Sequence, residues 1–228
     1  MRLPLAFAAA ATVALGATAA PAATRDFPAR DFSQVDLTTA ADVTIRTGQA
    51  FSVHADGDQQ QIDRLTAEVR DGVLVLGSQR GRWIHNSGHL SIAITMPRTT
   101  SVAIGGAGSI DLDHGSGPAF GANISGAGTI TVGALRAERT VLAMSGTGHI
   151  TIAGDTGVLD AHTAGVGSID AGALVARSGR VSMSGTGHIR ARIDGPVGAS
   201  MSGVGDIVID GHPICTVHKS GLGSIRCG

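Results

Sequence analysis

Seven times in its second half the chain repeats the phrase Gly-x-Gly-x-Ile. The copies open at Gly106, Gly126, Gly146, Gly165, Gly185, Gly203 and Gly221. Their second glycines are Gly108, Gly128, Gly148, Gly167, Gly187, Gly205 and Gly223. Successive first glycines lie 20, 20, 19, 20, 18 and 18 residues apart. A period this regular is the mark of a repeat architecture. Each unit is then one supersecondary element that buries its apolar face only by stacking on its neighbours.

Counted from the first glycine as zero, position +4 is isoleucine in every copy, from Ile110 to Ile225. Positions −4, −2 and +6 are apolar with few exceptions, while the odd positions between them are mostly small or polar. This alternation is the period-2 pattern of half-buried strands. Each unit therefore reads as a strand, a tight corner at Gly-x-Gly and a second strand, the glycines permitting positive φ or close backbone approach. Asp155-Thr156-Gly157, Asp194-Gly195-Pro196 and Asp210-Gly211-His212-Pro213 supply turns that absorb the variation in period. A hairpin meander would not return identical residues at one period. The pattern predicts an all-β fold, a single-stranded parallel β-solenoid of about 18–20 residues per coil, stacked at about 4.8 Å.

Residues 1–23 read as a secretory signal peptide. Arg2 starts an Ala-rich apolar run, and two small-x-small sites place cleavage between about residues 19 and 23. A transmembrane reading fits less well, because nothing charged follows the run until Arg25. No later segment is long and apolar enough to span a bilayer as a helix. Residues 24–30 read as a short linker. Residues 31–228 read as one domain, with irregular N-terminal coils over 31–100 and the repeats over 101–228. Export predicts a periplasmic or secreted location. The formal net charge of −1 offers no basis for binding nucleic acid. Aromatic residues make up 3% of the chain, which also leaves few stacking platforms for bases or sugars.

The first half lacks the phrase but alternates in the same way. Strands are expected over Phe32–Leu37, Val43–Ile45, Phe51–Val53 and Leu90–Ile94, the last stopped by Pro97. A short helical turn is expected over Asp58–Arg64, and Asp71-Gly72 marks a two-residue hairpin. The run Phe32-Ser33-Gln34-Val35, then Asp42-Val43-Thr44-Ile45, then Phe51 to Asp58, followed by Leu65 to Leu76, Met96-Pro97 and the repeats, resembles the head GIN domain family of autotransporter-adhesin-like bacterial envelope proteins. The likeness covers about residues 30–227. It implies a right-handed parallel β-helix without an established catalytic site, and an adhesion-type role. No outer-membrane barrel segment is expected within these residues, which is where the likeness to a true autotransporter stops.

Candidate sites are few. His149 and His188 share position +3 two coils apart, about 9.6 Å, too far to hold one metal together. Asp206, one coil beyond His188, falls within reach of it, while His162 and His218 sit at −3 on the other strand. A weak His/Asp metal site is thus set against an ordinary polar ladder. Gly105-Gly106-Ala107-Gly108-Ser109-Ile110-Asp111 misplaces the aspartate of a calcium nonapeptide and does not recur every nine residues. No helix follows any Gly-x-Gly, which excludes a dinucleotide fingerprint. The loop with Arg80, Arg82, Trp83 and His85 is the densest patch for an interaction, set against a solvated loop with Trp83 packed on the first coil. Cys215 and Cys227 stand at −6 and +6 of the last repeat, where a disulfide would staple the terminal coil; two buried free thiols are the alternative.

These residues point to a non-catalytic exported solenoid, an interaction or structural module of the envelope that needs no cofactor. Its partner would be an envelope or surface protein or a glycan, and self-association is left open. Two other readings remain: a carbohydrate-active lyase or hydrolase with a site on one face, and a weak metal binder through outward His and Asp.

Overall fold

The computed structural model describes residues 22–79 and 89–228. In chain order the first part holds β1 (Ala22–Asp26), β2 (Gln34–Leu37), β3 (Ala40–Thr47), β4 (Ser52–Asp58), α1 (Gln59–Arg64), β5 (Leu65–Arg70), β6 (Val73–Ser78), β7 (Leu90–Met96) and β8 (Ser101–Ile104). Four long strands follow, β9 (Ala107–Ile124), β10 (Ala127–Met144), β11 (Thr147–Thr163) and β12 (Val166–Met183). Each runs round most of a coil. The chain closes with β13 (Thr186–Ile193), β14 (Pro196–Met201), β15 (Val204–Asp210), β16 (Ile214–Lys219) and β17 (Leu222–Cys227). The fold is the expected parallel β-solenoid, with the repeats in register so that Ile110, Ile130, Ile150, Ile169, Ile189, Ile207 and Ile225 form one stack. The first six are buried; Ile225, on the terminal coil, is only partly so.

Two sheet faces enclose this core. The first carries positions +1 to +6, the second carries the residues before each corner, and a short third segment such as 114–117 joins them. At the corner, the N–H groups of Ser125 and Gly126 both donate to the Ile104 carbonyl at 2.9 and 3.0 Å, and that of Ala127 donates to Gly106 at 2.9 Å. The same trio recurs at later corners, as at Ser145, Gly146 and Thr147. A Cβ on Gly126 would overlap the Gly106 carbonyl oxygen, and one on Gly128 that of Gly108. Close approach between coils therefore demands glycine at both places. Positive φ adds to the demand at Gly187, where φ is 149°.

The irregular half hides a further coil. Val35, Leu37, Val43 and Ile45 carry the same spacing as Val102, Ile104, Ile110 and Leu112, and they pair with them strand to strand. Ala41 stands where the repeats have their second glycine. This first coil of the sequence is not the end coil in space. β2 lies between β6 and β8, and β3 lies between β7 and β9. After β3 the chain turns back through β4, which runs antiparallel to β7, and then through α1 and the β5–β6 hairpin. It then steps over the first coil along 97–100, where the Thr100 N–H donates to Ser33 at 2.8 Å, and begins the repeats. α1 closes the N-terminal end of the core with Ile62, and Leu65 is buried just behind it. Asp71 (φ 50°) and Gly72 (φ 77°) make the expected hairpin turn.

Part of the stretch expected to be a linker is a strand. β1 pairs antiparallel with β4 from Ala22↔Asp58 to Asp26↔His54, and Ala29 is buried beyond it. Alternation is too short there to be read from sequence, and the pairing is nonlocal. At the opposite end β16 pairs only with β14 and β17 only with β15 among the described strands. Cys215 and Cys227 are joined across this last coil, their Cα atoms 6.6 Å apart. No helix among the described residues is long and apolar enough to cross a membrane.

Candidate functional site

The register sets outward side chains in columns. The +3 column runs Ser91, Asp42, Ser109, Thr129, His149, Ser168, His188, Asp206 and Ser224, nine rungs along the first sheet. Some neighbouring rungs are linked side chain to side chain. The Ser109 hydroxyl donates to Asp42 at 2.6 Å, and His89 Nδ1 lies 3.7 Å from the same carboxylate. His149 Nδ1 bonds the Ser168 hydroxyl. His188 Nε2 lies 3.6 Å from Asp206, as the sequence register allowed. Asp206 also accepts from the Ser224 hydroxyl and, at 3.1 Å, from the Ser224 N–H. The Ser224 hydroxyl is the main cause that holds the Asp206 carboxyl below its ordinary range, and its N–H and the nearby His188 and Arg226 act in the same sense against a smaller effect of burial.

Beside it runs the +5 column, with Asp111, Asp170, Arg190 and Arg226 among its members. Arg190 Nε donates to Asp210 at 2.7 Å, and Arg46 lies 3.9 Å from Asp111. On the second sheet His162 Nδ1 bonds the Ser182 hydroxyl at 2.7 Å, and at the turns His212 Nδ1 bonds Asp194 at 3.1 Å. The third side carries Arg136, Glu138, Asp155 and Arg177 around a shallow hollow, with two charges of each sign.

Ser168, His188 and Asp206 fall on three consecutive rungs, an order that resembles a nucleophile, a base and a carboxylate. The geometry departs from that role. Ser168 is bonded to His149, and the imidazole of His188 turns Nε2 toward Asp206. Acyl transfer also needs free N–H groups converging on an oxyanion. On this face the backbone amides lie in the rung-to-rung ladder. What the column can do is present a straight row of donors and acceptors at about 4.8 Å intervals. No group of three or more His, Cys, Asp or Glu gathers in metal-binding fashion among the described residues.

The glycines of the seven phrases line one corner, and the cysteines lie on the terminal coil. Arg80, Arg82, Trp83 and His85 lie outside the described residues, as does nearly all of the leader. The link between His149 and Ser168 and the extension of the column to Asp42 and Ser91 escaped the sequence reading. The matched spacing of Val35 to Ile45 and Val102 to Leu112 is the signal that would have revealed the extension.

The family model described as "Putative auto-transporter adhesin, head GIN domain" matches residues 31–213. Among solved structures, a "putative adhesin" from Bacteroides fragilis superposes with a TM-score of 0.86 at 23% identity, over 90% of this chain and 96% of that one. A "putative lipid binding protein" from Parabacteroides distasonis gives 0.67 at 18% identity, over 90% and 96%. A "putative adhesin" from the same species gives 0.64 at 16% identity, over 90% and 97%. At these identities the likeness is one of fold. Among curated proteins none matches this chain.

Proposed function

The chain belongs to the head GIN domain family, matched over residues 31–213, and from that premise we propose that it is an exported, non-catalytic module of the cell envelope with an adhesion-type or structural role. The observation that carries this reading is the +3 column: a continuous polar row on a stiff sheet, several of whose members bond one another across coils. A rigid row of this kind meets an extended partner, a surface protein or a glycan, without ordering loops on binding. The Ala-rich leader and the Cys215–Cys227 bridge support export to an oxidising compartment, periplasmic or extracellular. In this reading the leader is removed by cleavage between about residues 19 and 23, and 31–228 act as one domain.

The test is binding of the chain from Ala22 onward to a glycan array and to immobilised envelope proteins. The triple variant His149→Ala/His188→Ala/Asp206→Ala should lose at least about tenfold in affinity for whatever is bound. Undiminished binding by that variant would move the site elsewhere. A carbohydrate-active or esterase-like reading draws on one observation, the alignment of Ser168, His188 and Asp206. Polysaccharide or ester turnover that disappears in Ser168→Ala would establish that reading in place of the first.

A further inference from the structure

The second sheet has an outward face unlike that of the first. Its −3 and −1 columns, from Ala103 and Gly105 to His218 and Ser220, hold only Ala, Gly, Ser, Asn and His, with no Lys, Arg, Asp or Glu. On the first sheet Asp42, Asp170, Arg190 and Asp206 stand in the +3 and +5 columns. Depletion of charge is what sets the centre of a protein interface apart from the rest of a surface.

The −5 column beside them reads Gly121, Val141, Asp160, Arg180, Gly198 and Thr216 on six successive rungs. Read backwards, this order is its own complement. Counted outward from the middle, Asp160 answers Arg180, Val141 answers Gly198, and Gly121 answers Thr216. Val141 is 43% exposed, and a Cβ on Gly198 would meet nothing within 4 Å. Arg139 Nη1 donates to Oδ2 of Asp160 at 2.6 Å, which leaves Oδ1 without a partner among the described residues. Arg180 is exposed and makes no ion pair among those residues.

We propose that two copies of this chain pair through the second sheet, face to face and with their solenoid axes antiparallel. The two-fold axis runs along the strand direction, midway between the rungs of Asp160 and Arg180. With the sheets about 10 Å apart, Asp160 of each copy meets Arg180 of the other, and Val141 of each enters the space over Gly198 of the other. Charge selects both register and direction. An axis through the rung of Asp160, or through that of Arg180, would set like charges face to face. Parallel solenoids would place each charge opposite itself or opposite an uncharged column. The matched rungs span about 29 Å by about 17 Å, about 1,000 Å² over both copies, the lower limit for a specific contact, so the dimer is weak and reversible. The contact is isologous and closes at two copies. It leaves the two +3 columns on opposite outer faces, where a dimer bridges two partners rather than gripping one. The pairing itself does not depend on what those columns bind.

The experiment is sedimentation velocity on the chain from Ala22 onward, a span that contains every described strand pairing, at about 0.01–1 mM. The wild type should pass from monomer to dimer across that range. Asp160→Arg and Arg180→Asp should each stay monomeric, since each sets like charges opposite one another twice. Mixed one to one, they should dimerise as the wild type does, because every guanidinium then meets a carboxylate. Gly198→Lys, which fills the space that Val141 needs, should stay monomeric with an unchanged melting temperature. A wild type that is monomeric throughout overturns the proposal. So does a mixture of the two folded charge variants that fails to associate, and so does a Gly198→Lys chain that still dimerises.

Discussion

A single methyl group separates tolerated from forbidden at the glycine positions. A Cβ on Gly146 would overlap the carbonyl oxygen of Gly126, whereas one on Gly198 would have nothing within 4 Å. Gly146→Ala should therefore cost about 3 kcal/mol or more, because backbone rather than a flexible side chain must yield. Gly198→Ala should change urea stability by under about 1 kcal/mol. The isoleucine stack gives a second contrast. Ile150→Ala and Ile169→Ala should each cost about 2–5 kcal/mol, and Thr151→Ala little, in the same unfolding assay. These residues were legible in the sequence because period 2 within a strand and period 20 between coils fix both the face and the neighbour. The His188–Asp206 contact follows from that arithmetic as well. The bond from His149 to Ser168 does not, since register brings side chains near one another and rotamers decide which of them meet.

At the scale of the element, the terminal coil depends on links the other coils do not need. The bridge closes a loop of 12 residues in sequence separation, and its loss should cost about 3 kcal/mol. In Cys215→Ser/Cys227→Ser, hydrogen exchange should show β16 and β17 losing protection while β9 to β12 keep theirs. Asp206 ties β15 to β17 through Ser224, and its folded pKa is depressed. A depressed carboxylate stabilises above its unfolded pKa of about 3.9, and that contribution disappears as pH falls through the lower folded value. Thermal melts should accordingly show Asp206→Asn less stable than wild type near neutrality, with the difference vanishing as pH falls through the depressed folded value. Element legibility was uneven for a physical reason. The helical turn and the Asp71-Gly72 hairpin are local signals. β1 exists only because β4 lies beside it, and nothing within Ala22–Asp26 announces that partner.

The whole molecule is a stack whose spatial order is not its sequence order. Asp42 and Ser109 are hydrogen-bonded although 67 residues apart, because the first coil waits between two later ones. No pattern in residues 34–47 encodes this order. Closing so long a loop is entropically costly until the second contact surface exists. In pulsed hydrogen-exchange refolding, amides of β2 and β3 should gain protection no earlier than those of β9. Earlier protection would mean that the N-terminal strands form their own nucleus.

Under tension the same interposition changes how the molecule would come apart. A solenoid pulled from its last coil peels, one strand at a time, each detaching from a single neighbour. Pulled from its N-terminus, this one gives up β1 readily, since that strand has one partner. The force then reaches β2 and β3, which are held from above and below. They cannot peel; both flanking ladders must yield together. A tether drawn from this end would run to a clasped strand within a few residues, so the molecule is far stronger as an anchor at its beginning than its small, aliphatic core suggests.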